Sequence, residues 1–110
     1  MTHPKATTAI KNLGLELSEY TEFIGELESS LKKLLLEAKN SLLKKDGLEA
    51  SEAIHSIKGN VGSLGFTDSH KFCQTLEASF KKGVDENSMG MLDEFINIYN
   101  AELKEIKETL

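Results

Sequence analysis

The stretch Ala50-Ser51-Glu52-Ala53-Ile54-His55-Ser56-Ile57-Lys58-Gly59-Asn60-Val61-Gly62-Ser63-Leu64-Gly65 decides how this chain folds. Its apolar residues, Ala50, Ala53, Ile54, Ile57, Val61 and Leu64, recur at steps of three and four. That is the period of one buried helical stripe. At 100° per residue His55 points about 150° away from the centre of that stripe. A helix here therefore buries one face and presents a histidine on the other. Lys58 lies about 60° to one side of His55, Gly59 about 40° to the other, and Gly62 about 20° off, two turns on. Each interior glycine costs about 0.5–1 kcal/mol relative to alanine. Two of them on one exposed face call for a reason beyond stability.

The same period continues on either side. Upstream, Tyr20, Phe23, Ile24, Leu27, Leu31, Leu34, Leu35, Ala38 and Leu42 mark one helix over Glu19–Lys45. Ser18 is its expected N-cap, Lys44 and Lys45 its last turn and Gly47 its stop. The central helix then covers Leu48–Leu64, with Gly65 as its stop. Downstream, Phe72, Cys73, Leu76 and Phe80 define Asp68–Lys82, with Thr67 as N-cap and Gly83 as stop. Met89, Leu92, Phe95, Ile96, Tyr99, Leu103 and Ile106 define Ser88–Leu110. A short extra helix is expected over Thr7–Leu17, ending near Gly14. Strand signals are absent and the only proline is Pro4. The expectation is an all-α chain: an antiparallel four-helix bundle over residues 18–110, preceded by an N-terminal extension over residues 1–17.

The chain has 110 residues, one domain's worth, and a formal net charge of -5. The paired lysines Lys32-Lys33, Lys44-Lys45 and Lys81-Lys82 sit among acidic residues and read as solvated helix faces and ends, against nucleic-acid binding. The longest apolar run, Leu34-Leu35-Leu36, is far too short to cross a bilayer, and Met1–Lys11 carries no signal-peptide core. A soluble cytoplasmic protein is expected, with no membrane partner. The single cysteine, Cys73, falls on a buried stripe and reads as core. His3 is expected in a disordered terminus, and His70 reads as a cap or surface residue. No metal is expected, because the histidines and Cys73 lack ligand spacing. Leu64 and Phe66 read as core residues.

The exposed imidazole suits one chemistry. Its unperturbed pKa near 6.5 leaves it mostly neutral at pH 7 and nucleophilic without a dedicated base. Gly59 opens space beside the ring for a tetrahedral group. Lys58 can hold that group's oxygens. Phosphoryl transfer asks for little more than such positioning and charge. Which ring nitrogen attacks is open at this level.

The run Ala53-Ile54-His55-Ser56-Ile57-Lys58-Gly59, followed by Gly62, Leu64 and Gly65, resembles the signature of histidine-containing phosphotransfer (HPt) domains. Phe72-Cys73-Gln74-Thr75-Leu76-Glu77 is similar to that family's next helix. The resemblance implies a carrier that exchanges a phosphoryl group between His55 and the phospho-aspartate of receiver domains, with Lys58 steadying it and Gly59 and Gly62 giving clearance. It implies response-regulator receivers and a hybrid histidine kinase as partners, Mg2+ in the receiver, no cofactor of its own and no ATP site. A monomer is expected. Some members carry glutamine where this chain has Glu77. A carboxylate there would either repel phosphate or orient the imidazole. A non-catalytic adaptor that binds receivers without accepting phosphate is the rival reading.

Overall fold

Five helices make up the computed structural model, which describes residues 1–110. The first, α1, is Pro4–Leu13. The His3 Nδ1 accepts the Lys5 N–H at 3.1 Å, and Pro4 stands in the first turn, where a missing N–H does no harm. Gly14 ends α1 in the left-handed region at φ 66°. The extension thus forms a helix earlier than Thr7–Leu17, and Leu17 opens the next one.

The 27-residue α2, Leu17–Leu43, begins ahead of the expected cap. Glu16 precedes it, and its N–H donates to the Glu19 carboxylate at 2.8 Å. Ser18 therefore lies inside the helix. At the other end Lys45 turns the chain at φ 62°. Lys44 and Lys45 fall beyond the last helical residue.

Gly47 does not stop α2; it opens α3, Gly47–Ser63, after the Asp46 side chain accepts the Glu49 N–H at 3.0 Å. A glycine is needed there because the Phe80 carbonyl of the neighbouring helix occupies the place of a side chain. After α3, the Tyr20 hydroxyl of α2 donates to the Leu64 carbonyl at 2.7 Å and fixes the exit turn.

Helix α4, Thr67–Lys82, starts one residue before Asp68, with Phe66 in the cap position. A phenylalanine cannot satisfy the free N–H groups of a first turn. Glu102 of α5 does so instead. Its carboxylate accepts the Asp68 N–H at 3.0 Å, the Ser69 N–H at 2.7 Å and the Ser69 hydroxyl at 2.6 Å. The fifth helix, α5, is Ser88–Lys107.

The chain is all helical. Helices α2, α3, α4 and α5 pack in a ring: α2 on α3, α3 on α4, α4 on α5 and α5 back on α2. The long axis of 43 Å matches the length of α2. The stripes anticipated from the period meet inside: Ile24, Leu31, Ile54, Ile57, Val61, Leu76, Phe80, Leu92, Phe95 and Ile106 are buried, as are Leu64, Phe66 and Cys73. Phe23 departs from its stripe. It is 42% exposed, because it sits at the margin beside Leu13, Leu15 and Leu64 rather than beneath α3.

Helix α1 is tied across one end of the ring. The Lys5 ammonium pairs with Glu102 at 2.6 Å and Asp68 at 3.0 Å, and the Lys5 carbonyl packs where Gly65 has no side chain. No helix is long and apolar enough to cross a membrane.

Candidate functional site

His55 stands in the middle of α3 with its side chain 69% exposed. The apolar register of Ile54, Ile57 and Val61, all fully buried, turns it outward. Glu77, on the facing side of α4, reaches it. The Glu77 Oε1 lies 3.1 Å from the His55 Nδ1 and Oε2 lies 3.3 Å away. The same carboxylate accepts from the Lys58 ammonium at 2.9 Å. Lys81, one turn further along α4, stands 3.6 Å from Oε1. One carboxylate thus gathers the imidazole and two ammonium groups.

The electrostatics follow from that arrangement. The Lys58 hydrogen bond is the chief cause holding the Glu77 carboxyl below the usual carboxylate range; burial opposes it, and His55 adds to it. Glu77 is therefore ionised at neutral pH. An ionised carboxylate only accepts hydrogen bonds. The contact with His55 thus places the ring proton on Nδ1 and leaves the lone pair of a neutral ring on Nε2. Glu77 with Lys58 and Lys81 sums to one positive charge, so the cluster is cationic despite its carboxylate.

The two glycines on this face have different surroundings. A side chain at Gly59 would meet nothing within 4 Å. The surface next to His55 is open there. A β-carbon at Gly62 would stand 2.6 Å from the Nδ1 of His70. That space is filled by the His70 ring, so Gly62 offers His55 no clearance; its bareness serves α3–α4 packing.

Of the residues singled out in the sequence, the fold brings His55, Lys58 and Glu77 into one cluster, with Gly59 alongside. Cys73, one turn before Glu77 on α4, is a buried thiol, pushed by burial up to about 12 and so inert as a nucleophile. Lys81 is the residue that sequence reasoning passed over. Its spacing of four from Glu77 was the available signal, hidden because Lys81-Lys82 also suits a helix end. No three His, Cys, Asp or Glu side chains converge as a metal-binding group would require.

The site is thus one exposed imidazole on a helical bundle, held by a carboxylate that also gathers two ammonium groups, beside an open stretch of backbone. The Hpt domain family model matches residues 17–109, and the chain belongs to that family. The match takes in α2 to α5 and leaves α1 outside. No curated protein and no solved structure matches the chain. As an Hpt domain it takes part in two-component phosphotransfer signalling, in which such domains interact with receiver domains.

Proposed function

We propose that His55 is the phosphoacceptor of a phosphorelay carrier, exchanging a phosphoryl group with the phospho-aspartate of receiver domains. The observation that carries this reading is the Glu77 contact with Nδ1, which leaves Nε2 free to attack. The Nε2 lone pair attacks phosphorus, the N–P bond forms and the P–O bond to the aspartyl carboxylate breaks. The carboxylate leaves with the electron pair. No proton has to depart: the ring keeps its Nδ1–H, becomes cationic, and is held by the Glu77 carboxylate. Lys58 and Lys81 offset the charge of Glu77 and of the incoming phosphoryl oxygens. Gly59 leaves the approach open. The return step runs the same path backwards.

The domain is a carrier rather than a kinase. Mg2+ belongs to the receiver's acidic pocket, and a hybrid histidine kinase is the proposed source of phosphate. It works in the cytoplasm as a monomer. The frame is an antiparallel four-helix bundle. In support, the helix connections are short, and His55 meets Glu77 while Gly62 meets His70, so residue numbers rise along α3 as they fall along α4.

Incubation with phosphorylated receivers should give an acid-labile, base-stable phosphoprotein in the wild type and none in His55→Gln. If no receiver labels the wild type above that control, the relay reading fails and the receiver-binding adaptor takes its place.

A further inference from the structure

We propose that His70 is a positioning residue: it locks α4 onto α3 in the one rotation that brings Glu77 to His55. The inference rests on the reading of His55 as phosphoacceptor.

His70 and Glu77 are seven residues apart on α4, and His55 and Gly62 are seven apart on α3. Seven residues are two turns, about 10 Å of rise and within about 20° of the same face. The two helices therefore meet in two stacked layers. In one, Glu77 holds the His55 Nδ1 at 3.1 Å. In the other, the His70 ring lies on bare Gly62, where a β-carbon would stand 2.6 Å from Nδ1 and 3.2 Å from Cε1. Only glycine lets the ring come so close.

The second layer is also polar. The His70 Nδ1 stands 3.2 Å from the backbone carbonyl of Lys58. A carbonyl only accepts, so His70 donates from Nδ1. Lys58 is the residue whose ammonium binds Glu77 at 2.9 Å. Helix α4 thus grips Lys58 twice, at the backbone through His70 and at the side chain through Glu77. Glu77 sits on a flexible side chain and pairs with three mobile groups. The flat ring wedged against backbone is the stiffer of the two contacts. A small rotation of α4 would carry the Glu77 carboxylate off Nδ1, and misplacement by about 1 Å can cost up to about 100-fold in rate.

The test uses full-length protein with isotope-labelled histidine. The nitrogen chemical shifts of His55 report its tautomer with no receiver present, and the transfer rate from a phosphorylated receiver is measured in parallel. His70→Ala should shift His55 toward a tautomer mixture and slow transfer by about tenfold. His70→Asn keeps an N–H donor at the Nδ1 position and should retain wild-type shifts and a rate within about twofold of wild type. Should His70→Ala fail to fold, Gly62→Ala in the same chain fills the vacated space, and the double variant is read instead. Wild-type His55 shifts without the His70 donor overturn the proposal, whatever the rate does. So does an asparagine variant as defective as the alanine one. Failure of every receiver to label the wild type overturns the phosphocarrier reading alone, because the nitrogen shifts are read without a receiver.

Discussion

Replacing Glu77 by alanine separates the orienting role of the carboxylate from the nucleophilic role of the ring. The substitution removes the acceptor 3.1 Å from the His55 Nδ1 and the partner 2.9 Å from the Lys58 Nζ. A hydrogen bond to a charged group contributes about 1.5–3 kcal/mol net. His55 is 69% exposed, so water competes and the lower part of that range applies, about 1.5–2 kcal/mol. Loss of Glu77 acts on the rate through a smaller population of the reactive Nδ1–H tautomer and a less stabilised, increasingly cationic ring in the transition state. That loss should slow transfer by roughly 10- to 30-fold. The assay is the initial rate of label transfer from a phosphorylated receiver, with His55→Gln as the zero. Glu77→Gln keeps a carbonyl oxygen able to accept from Nδ1–H and should recover part of the loss, since a neutral acceptor contributes about 0.5–1.5 kcal/mol. An alanine variant within twofold of wild type would refute the orienting role. A glutamine variant as slow as alanine would show that charge, not tautomer, is what Glu77 supplies.

Three further outcomes follow from the same structure. Gly59→Ala should raise stability by about 0.5–1 kcal/mol in urea melts, because nothing lies within 4 Å of the new methyl, whereas Gly59→Gln should leave the helices intact and slow transfer. Acid should weaken the fold partly through Glu77. Its carboxyl is held below the usual range, chiefly by Lys58, so its contribution is full above the ordinary carboxylate value of 4.5 and is lost as pH falls through the depressed one. Urea midpoints taken from pH 7 down to pH 2 should therefore show a shallower acid limb in Glu77→Gln; an unchanged limb would mean that the pairing adds no stability. Glu102→Ala should lower the melting temperature by about 10 °C, since it takes the acceptor from the buried Ser69 N–H and the part-buried Asp68 N–H at the start of α4 and leaves the Lys5 ammonium only the exposed Asp68, at about 2–3 kcal/mol together.

Periodicity made the four long helices legible, because each buries a stripe that its own sequence spells out. The ends were less legible where a partner from elsewhere decides them. Ser18 is a good cap by type, yet the Glu16–Glu19 contact starts α2 earlier. Gly47 looks like a stop, but Lys45 takes the left-handed turn, and Gly47 instead makes room for the Phe80 carbonyl. The outward direction of His55 followed from one helix alone. The reach of Glu77, the presence of Lys81 and the wedge of His70 over Gly62 depend on how α4 is rotated against α3. No single-helix wheel contains that angle. Glu102 stayed hidden for the same reason: a glutamate on α5 gives no local sign that it caps α4.

The ties that hold α1 also bring the two ends of the chain together. The His3 N–H donates to the Thr109 hydroxyl at 2.8 Å, and Lys5 reaches Glu102. Helix α3 runs eight residues beyond His55 to Ser63, about 12 Å, before the chain turns to Gly65 at the same end. Residues 3–109 therefore enter and leave at nearly one point, well away from the imidazole. Such a unit can be spliced as a cassette into a surface loop of a host protein, or permuted by a short bridge between its ends, with the His55 face still open to a docking partner.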